Sequence, residues 1–283
     1  MPTEASGTFY NVKTIDSYVL TVSEVPSDIE RTQCALMCHL ANCDAFVIDA
    51  DDHTCKFMQT NSNPYENLYI SRDIGMCHSL PAGSPSDVYT ITTSDSLMAD
   101  VFCDMDTLGG GWTVIQNRID GSLDFYKTWE EYKQGFGFPY GEYWIGNENL
   151  YKLTSSGSYE LRIEMEDITG LSKYAAYSVF SVASESENYS LAASGFTGTV
   201  FNSLSDHHLK PFSTWDRDND EASTSCATTY QGGWWYTKCH KSNLNGPYKP
   251  ATVDDPKAMS WFRFVSGGGH SALKSSKMMI RPC

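Results

Sequence analysis

FCDMDTLGGGWTV, at Phe102–Val114, is the stretch that decides how most of this chain folds. Three consecutive glycines before a bulky segment predict a bend where side chains would not fit, followed by a strand. Working outward, Val88–Ile91 and Val101–Asp104 alternate like two further strands, and a Cys77–Cys103 disulfide would staple them. Further downstream, Leu161–Glu166 reads as a half-buried strand with its polar side outward.

The length and a linker-like stretch indicate two domains. At roughly 100–200 residues per domain, 283 residues correspond to one large domain or two ordinary ones. Residues 79–87 (SLPAGSPSD) have the composition of a linker, and Cys77 is assigned to the unit that follows. We therefore predict one domain over 1–76 and a second over 77–283. The aromatic content of 13% and the recurring Gly and Ser favour strands and loops over a helix bundle.

The charge of the chain excludes several classes of partner. The formal net charge is -15, so the surface repels phosphate backbones, and we expect neither nucleic-acid binding nor adhesion to anionic membranes. No apolar run approaches about 18 residues, so no transmembrane helix and no membrane insertion are expected. Acidic side chains can instead bind calcium, which takes oxygen ligands.

The cysteine content indicates the compartment. In a secreted protein nine cysteines predict disulfides, whereas in the cytosol they would indicate metal binding. A zinc site in the first four is the alternative, although their spacing lacks the C-x2-C pairs of most zinc knuckles. The sequon at Asn188 marks a candidate glycosylation site and adds weak support for secretion. We expect a secreted, extracellular protein. Because residues 1–4 have neither the basic start nor the apolar core of a signal peptide, the sequence is then expected to be a mature form or a recombinant one.

Four cysteines lie close together in the first domain. The pattern predicts a helix that carries Cys34 and Cys38 on one face. The natural pairing is then Cys34–Cys55 and Cys38–Cys43, although four cysteines permit three pairings. Strands are predicted before and after the helix, at Phe9–Val12, Tyr18–Val22 and Ala45–Asp49.

The spacing C-x3-C-x4-C, followed by a strand and Cys55-Lys56-Phe57, resembles an apple (PAN) domain over residues 1–76. The segment lacks the N-terminal cysteine of the six-cysteine form. The outer terminal bridge of many apple domains is therefore expected to be absent.

A series of motifs beyond Cys77 carries a second resemblance. After the opening stretch come, in order, Asp120–Phe125, Tyr132–Gly137, Glu142–Asn147, Phe212–Thr214, Gly233–Tyr236, Ser242–Gly246 and Met279–Pro282. Together these motifs resemble the fibrinogen C-terminal (fibrinogen-like) domain, as in ficolins, tachylectins and the fibrinogen-related lectins of invertebrates. The resemblance implies an α+β fold: a central antiparallel sheet with long loops, preceded by the small disulfide-stapled apple/PAN-like domain.

Alternate aspartates at Asp216, Asp218 and Asp220 form a candidate calcium loop. The stretch is no EF-hand, because Glu221 stands where that motif needs Gly and Ala227 where it needs a bidentate Glu. A solvated acidic turn is the alternative. The resemblance to fibrinogen-like domains implies calcium as cofactor, with these ligands: the carboxylates of Asp218 and Asp220 and the backbone carbonyls of Ala222 and Thr224.

A short loop closed by a Cys226–Cys239 disulfide would follow the acidic turn and stiffen it. The resemblance implies that the peptide bond before Cys239 is cis. It also implies an acetyl-binding pocket of the ficolin type, in which the Cys239 N–H donates to the acetyl oxygen, His240 orients the group and Tyr230 forms a wall for the methyl. The alternative for His240 is a structural hydrogen bond beneath the neighbouring tryptophan pair.

One loop departs from the ficolin pattern. Those lectins have an aromatic residue followed by Ala about sixteen residues beyond the histidine, whereas residues 253–259 read VDDPKAM, without an aromatic ring. Lys257 is then a candidate partner for an anionic sugar such as sialic acid, and Asp254 or Asp255 for sugar hydroxyls. Tyr248 is a candidate replacement for the missing ring. A solvated turn is the alternative for the loop.

No catalytic motif stands out, so the protein is predicted not to be an enzyme. The sequence contains no G-x-S-x-G nucleophile elbow and no H-E-x-x-H motif, and His207 and His208 are adjacent rather than at helical spacing. Glu164 and Glu166 are assigned to the solvated face of their strand.

The leading prediction is a secreted, calcium-dependent lectin that binds glycans on cell or microbial surfaces in innate immune or self/non-self recognition. The alternative is an adhesive or extracellular-matrix protein that binds a protein partner through the same pocket.

The predicted disulfides leave Cys283 unpaired at the last printed position. An exposed thiol in an oxidising compartment tends to find a partner, so Cys283 is a candidate for an interchain disulfide that links a homodimer. Linking weak sites raises avidity, which suits a lectin. A free or small-thiol-capped cysteine is the alternative.

Overall fold

The computed structural model describes residues 8–11, 18–20, 45–48, 55–59, 76–92, 98–155, 157–251 and 254–283. The chain divides into two compact units, Met1–Ile70 and Ser71–Cys283. Among the described residues, none of the helices has both the length and the apolar character needed to cross a bilayer.

The first unit contains a four-stranded antiparallel sheet in the order β1-β3-β4-β2. Its predicted helix, with Cys34, Cys38 and Cys43, lies outside the described residues, as does the side chain of Cys55. The pairings Cys34–Cys55 and Cys38–Cys43 therefore stay predictions, and so does the apple-like fold. The strands are β1 Thr8–Asn11, β2 Tyr18–Leu20, β3 Ala45–Ile48 and β4 Cys55–Gln59.

The second unit is built on one large antiparallel sheet with few helices. Its strands are β5 Asp87–Thr92, β6 Met98–Asp104, β7 Trp112–Arg118, β8 Phe136–Gly137, β9 Tyr143–Trp144, β10 Tyr159–Asp167, β11 Ser172–Val182, β12 Leu191–Gly198, β13 Ser242–Asn243, β14 Ser260–Phe262 and β15 His270–Pro282. Its α-helices are α1 Trp129–Gln134, α2 Asn147–Thr154 and α3 Cys226–Tyr230.

The last strand lies in the middle of this sheet. The order is β12-β11-β10-β15-β7-β6-β5, so β15 pairs with β10 on one side and with β7 on the other. At its start β15 also pairs with β14, which in turn pairs with β13. The predicted central antiparallel sheet and the α+β fold of this unit are confirmed.

The glycine triplet acts as predicted. Gly110 has φ +75°, and a Cβ there would lie 2.4 Å from the Met105 carbonyl oxygen, so the turn excludes a side chain. Gly111 has φ +76° and packs against the backbone of His78. The Cys77–Cys103 disulfide is formed and buried next to this turn, and it fixes the start of the unit to β6.

The core lies where alternating strand residues meet large aromatic rings. Along β10, buried and half-buried residues alternate without interruption, as the sequence predicted. Tryptophan side chains fill much of the core, and the fully buried ones are Trp144, Trp234, Trp235 and Trp261. The loops between α3 and β14 therefore pack on the sheet rather than extend into solvent.

A buried ion pair joins three separate loops to β7. Arg118 lies 3.5 Å from the Glu142 carboxylate, and both residues are almost fully buried. The guanidinium also donates to the carbonyl oxygens of Leu244 at 3.1 Å and Gly246 at 2.9 Å. The Glu142 carboxylate accepts backbone amides from the turn at 119–123.

The first prediction concerns this ion pair. Glu142→Gln keeps the shape of the side chain but leaves Arg118 as a buried, uncompensated cation. We expect the free energy of unfolding to fall by about 3–5 kcal/mol, measured by urea denaturation.

Glu166→Gln is the matched control, because Glu166 forms an exposed pair with Lys274 at 2.7 Å. It should cost less than about 1 kcal/mol. Equal losses in the two variants would contradict a special role for the buried pair.

Candidate functional site

The candidate site is built around α3. Ser225 caps this helix by accepting the Thr228 amide, and the helix ends at Gln231 in a left-handed conformation. Cys226 at its start forms the predicted disulfide with Cys239, so the returning chain is held against the helix. The peptide bond between Lys238 and Cys239 is cis, as the resemblance implied.

The acidic loop before α3 uses its three aspartates differently. Asp216 accepts hydrogen bonds from the Trp129 amide at 2.9 Å and from the Thr214 hydroxyl at 2.8 Å, so it serves the fold. Asp218 accepts the Asp220 amide at 3.1 Å. Asp220 accepts the amides of Ala222 at 2.8 Å and Cys226 at 2.7 Å, which ties the loop to α3.

Asp218 and Asp220 are close enough to influence each other. Burial raises the pKa of Asp220, the nearby Asp218 carboxylate raises it further, and the two amide hydrogen bonds oppose the shift. Within the described part of the chain, no group of three or more His, Cys, Asp or Glu side chains is placed to hold a metal ion. A cation here would therefore need backbone carbonyls beside the two carboxylates. This all-oxygen donor set fits the chemistry of calcium.

An aromatic cluster surrounds His240. The Tyr230 ring meets His240 edge to face at 4.5 Å between centroids, Tyr236 lies at 5.9 Å and His270 at 4.9 Å. Cys239, adjacent in the chain, is half-buried. The structure thus brings together the three residues of the predicted pocket.

The ring of His240 packs among other rings. Both of its nitrogens are buried without a hydrogen bond of ordinary geometry in the described part of the chain, and the Pro256 carbonyl is the polar group that acts on the ring, although the residue as a whole is half-buried. Burial lowers the pKa of His240 well below the ordinary value, His270 and His207 lower it further, and the Pro256 carbonyl opposes the shift. The imidazole is therefore neutral at pH 7.

His207 fills the structural role instead. Its Nδ1 lies 2.7 Å from the Trp235 carbonyl oxygen, and its Nε2 accepts the amides of Lys241 and Ser242 at 3.2 Å. His207 is fully buried and holds the segment that begins just after His240. The sequence did not predict this role, because His207 shows no motif beyond its adjacency to His208.

The loop that lacks an aromatic ring is attached to the start of β15. The Asp254 carboxylate accepts the backbone amide of His270, and the Asp255 amide donates to the His270 carbonyl at 3.0 Å. The Asp255 carboxylate also accepts the Lys257 amide at 2.8 Å, so it shapes the turn. Lys257 is exposed, and Ala258 is buried.

The remaining residues that the sequence singled out, Tyr248, Asn188 and Cys283, make other contacts. The ring of Tyr248 packs on Gly121, and its hydroxyl donates to the Ile119 carbonyl at 3.0 Å. Asn188 is half-buried, with its amide oxygen accepting from Arg217 at 2.8 Å. Cys283 is exposed and unpaired, and its amide donates to the Ser158 carbonyl.

The ring that stands beside His240 is His270, which sequence reasoning missed. His270 is the first residue of β15 and pairs with Phe262 of β14. A signal was available, because Gly267-Gly268-Gly269 just before it predicts a hairpin turn. That hairpin brings the start of β15 to the ring of His240.

These features define a fibrinogen-like domain. Residues 72–283 match the family described as "Fibrinogen beta and gamma chains, C-terminal globular domain", and the chain belongs to this family.

Three relatives show the range of the family. The chain is 47% identical to Ficolin-3 of Homo sapiens over 194 residues, 68% of this chain and 64% of the relative. It is 45% identical to Angiopoietin-2 of Rattus norvegicus over 202 residues, 70% of this chain and 40% of the relative. It is 43% identical to Ryncolin-4 of Cerberus rynchops over 198 residues, 69% of this chain and 56% of the relative. The chain thus spans less than two thirds of each relative's length.

Solved structures agree with the fold. The fibrinogen-like globe domain of human ANGPTL6 is 41% identical with a TM-score of 0.69, covering 74% of this chain and 96% of that one. The lamprey fibrin D-dimer, complexed with the peptide ligand Gly-His-Arg-Pro-amide, is 32% identical with a TM-score of 0.67, covering 74% of this chain and 73% of that one.

The second prediction concerns the pH dependence of stability. Burial lowers the pKa of His207 to about 4; Lys241 and His270 add to the shift, and the Trp235 carbonyl and Asp206 oppose it. Because the ordinary value is about 6.5, the unfolded chain binds a proton first as the pH falls. We expect this residue alone to cost up to about 3 kcal/mol of stability between about pH 6.5 and 4.

Urea denaturation at stepped pH tests this expectation. The pKa values of His240 and His270 are also lowered, so these residues should likewise make the free energy of unfolding fall as the pH falls. His207→Gln should unfold more easily at pH 7, yet lose stability less steeply on acidification. An unchanged slope in this variant would show that His207 does not carry the effect.

Proposed function

We propose that this protein is a secreted, calcium-stabilised lectin that binds glycans through the pocket around Tyr230, Cys239 and His240. The proposal rests above all on the geometry around His240, whose ring meets Tyr230 edge to face at 4.5 Å and lies 5.9 Å from the ring of Tyr236. Aromatic rings beside a few polar groups are typical of small-molecule sites, so this arrangement supports ligand binding. The relatives Ficolin-3 and Ryncolin-4 support the same function.

The proposed role is recognition rather than catalysis. N-acetylated or sialylated sugars on cell or microbial surfaces are the ligand class that the ficolin resemblance favours, and innate immune or self/non-self recognition is the proposed context. The exposed ammonium of Lys257 supports an anionic sugar. Small polar sugars bury little apolar area, so each site should bind with an affinity of about millimolar to micromolar.

Calcium is proposed as a structural cofactor of the acidic loop. Asp218 and Asp220 would hold the ion with the carbonyls of Ala222 and Thr224. When bound, calcium would neutralise the two neighbouring carboxylates and stiffen the loop. Because Asp220 also binds the first amide of α3, order in this loop would extend to the pocket.

A second candidate function is binding of a protein partner through the same pocket, as in an adhesive or extracellular-matrix protein. Two neighbours favour it: Angiopoietin-2, and the lamprey fibrin fragment whose complex contains a peptide. Competition between glycan and Gly-His-Arg-Pro-amide for the pocket separates the two functions. Binding of the peptide, with no glycan bound, would favour the protein partner.

The third prediction tests calcium. A ligand that binds only the folded state raises the melting temperature by mass action, so calcium should raise Tm and EDTA should reverse the shift. Asp218→Ala should abolish the shift because it removes a carboxylate ligand.

Asp100→Ala is the control, because Asp100 is an exposed carboxylate of β6 that accepts the Thr90 hydroxyl. This variant should keep the full calcium response. If EDTA changes neither Tm nor ligand binding of the wild type, the calcium assignment is wrong.

The fourth prediction tests the pocket with a glycan array, run in calcium and in EDTA on a multimerised protein. The wild type should bind acetylated or sialylated glycans, and His240→Ala should lose that binding while keeping its far-UV circular dichroism spectrum. Failure of both glycan classes on the calcium-loaded protein would favour the protein-binding function.

The fifth prediction concerns assembly. We propose that the exposed thiol of Cys283 links two copies of the chain and so raises avidity. Non-reducing gel electrophoresis of the secreted protein should show a dimer that Cys283→Ser converts to monomer. A monomer band for both proteins would rule out the covalent dimer.

A further inference from the structure

A groove crosses the face of the central sheet that is turned away from the core. Its volume is about 510 Å³, within the range of about 300–1,000 Å³ that is typical of small-molecule sites. Its lining comes mainly from β11, β10, β15 and β7 and shares no residue with the cluster around His240. The charged and amide side chains that line it beside Arg118 are Asn117, Arg162, Glu164, Glu166, Lys173 and Lys277.

Two irregularities in strand pairing curve this part of the sheet. The register of β10 on β15 shifts between Glu166 and Asp167, and that of β15 on β7 shifts between Met278 and Met279. A bulge bends its strand and increases the local twist, and bulges are over-represented beside active sites. The sheet therefore forms a hollow here instead of a flat surface.

The register arranges the outward side chains of the groove in two rows across the strands. The first row is Ser172, Glu166 and Ser275, and the second is Tyr174, Glu164, Lys277 and Asn117. Neighbouring strands lie about 4.8 Å apart, and the two rows lie about 7 Å apart along them. Carboxylate, hydroxyl, ammonium and amide groups thus alternate at short, fixed intervals.

Ion pairs hold the second row in place. Arg162 donates to the Glu164 carboxylate at 3.0 Å and lies over the Tyr174 ring at 4.2 Å. Lys277 lies 3.3 Å from the other Glu164 oxygen and 2.7 Å from Asp104. About a third of the Glu164 side chain stays exposed, so it can accept further hydrogen bonds. Side chains that are already fixed lower the ordering cost of binding a ligand.

Lys173 differs from the other cations of the groove. Its ammonium donates to the Phe264 carbonyl at 2.5 Å, and it forms no ion pair among the described residues. The Asp167 carboxylate acts on it only over a longer distance, because it accepts the Thr169 amide and hydroxyl and the Leu171 amide. An ammonium has three donors, so two donors of Lys173 are available to a ligand.

The groove has one excess positive charge in a protein whose net charge is -15. Glu142 neutralises Arg118, which leaves three cations and two carboxylates in the lining. Lys274 and Asp104, which pair with groove residues from outside it, cancel each other. Charge complementarity therefore favours a ligand with a single negative charge.

The strand pairing favours a saccharide over a peptide in this groove. Each of the four strands has a hydrogen-bonded neighbour on both sides, so a peptide cannot add to the sheet as a further strand. Recognition must then come from side chains. Sugar hydroxyls both donate and accept, which matches the alternating groups of the two rows.

We propose that this groove binds a pyranose with one carboxylate, as in uronic acids, at a site separate from the pocket around His240. Lys173 pairs with the carboxylate, and Glu164, Glu166 and the serines of the first row bind the hydroxyls. The site goes beyond the proposed function, because it requires neither calcium nor an acetyl group.

Titration of the full chain with the methyl glycosides of glucuronic acid and of glucose tests the proposal. The two probes differ only in the group at C6, a carboxylate or a hydroxymethyl, and neither has an acetyl group. The glucuronide should bind with a Kd of about millimolar, about fivefold tighter than the glucoside. This preference should disappear in about 1 M salt, which screens exposed charges.

Amide chemical shifts of the wild type locate the bound sugar. The changes should concentrate at 164–166, 172–174 and 275–277. Changes confined to 226–240 would place the glucuronide in the other pocket and overturn the proposal. A dipeptide with one aspartate, used as a third probe, should leave the groove amides unchanged. If it shifts them as strongly as the glucuronide does, the saccharide assignment is wrong.

Lys173→Gln removes the charge and keeps a donor. It should raise the Kd of the glucuronide to that of the glucoside, whose own Kd should stay unchanged, and Lys173→Arg should retain the preference. Lys152→Gln is the matched control, because Lys152 lies on α2 and pairs with Glu148 at 3.6 Å. It should change neither Kd. Melting curves establish that the variants are folded.

The outcomes separate this site from the proposed lectin pocket. Equal affinity of the wild type for the two glycosides at low salt overturns the groove proposal, while binding of arrayed glycans would still support the pocket. Lys173-dependent binding of the glucuronide, without any binding on the glycan array, supports the groove and rejects the pocket. The wild-type shift map decides the location even if Lys173→Gln does not fold.

Discussion

The arrangement of the loops around the pocket depends on the buried pair of Arg118 and Glu142. Two charges removed from water are stable only when further hydrogen bonds satisfy them. Glu142 receives amides of the 119–123 turn, and Arg118 supplies donors to the carbonyls of Leu244 and Gly246. Because residues 244–246 directly follow β13, which follows His240, the ion pair connects the central sheet to the segment that carries the pocket. The polar interior of this region is therefore part of its architecture.

The features that the sequence predicted correctly depend on residues that lie close together in the chain. The glycine turn before Trp112, the alternation of β10 and the disulfides Cys77–Cys103 and Cys226–Cys239 all follow from spacing within one segment or two neighbouring ones. The position of β15 between β10 and β7 does not, because it depends on pairing across more than a hundred residues. His270 was missed for this reason, since only the central position of its strand and the hairpin with β14 bring it to His240.

The roles of His207 and His240 show a second limit. His240 closely follows the tryptophan segment in the sequence, yet it is the His207 ring that meets Trp234, at 6.3 Å between centroids. A sequence pattern does not tell which imidazole will be hydrogen-bonded. The fold satisfies His207 with the Trp235 carbonyl and two amides, whereas His240 faces aromatic rings and a second histidine. Only the three-dimensional structure distinguishes a histidine that holds a loop from one that packs among aromatic rings.

The polar groups around His240 differ in whether they have hydrogen-bond partners. Around the pocket, the disulfide, the cap of α3, the Asp220 carboxylate and His207 have their partners, and together they fix the backbone. Other buried side-chain atoms of the region have no hydrogen bond of ordinary geometry in the described residues, and they include Nδ1 of His270, Nε1 of Trp234 and Oδ1 of Asn243. Such groups cost stability, whereas a backbone that is already fixed lowers the ordering cost of binding a ligand.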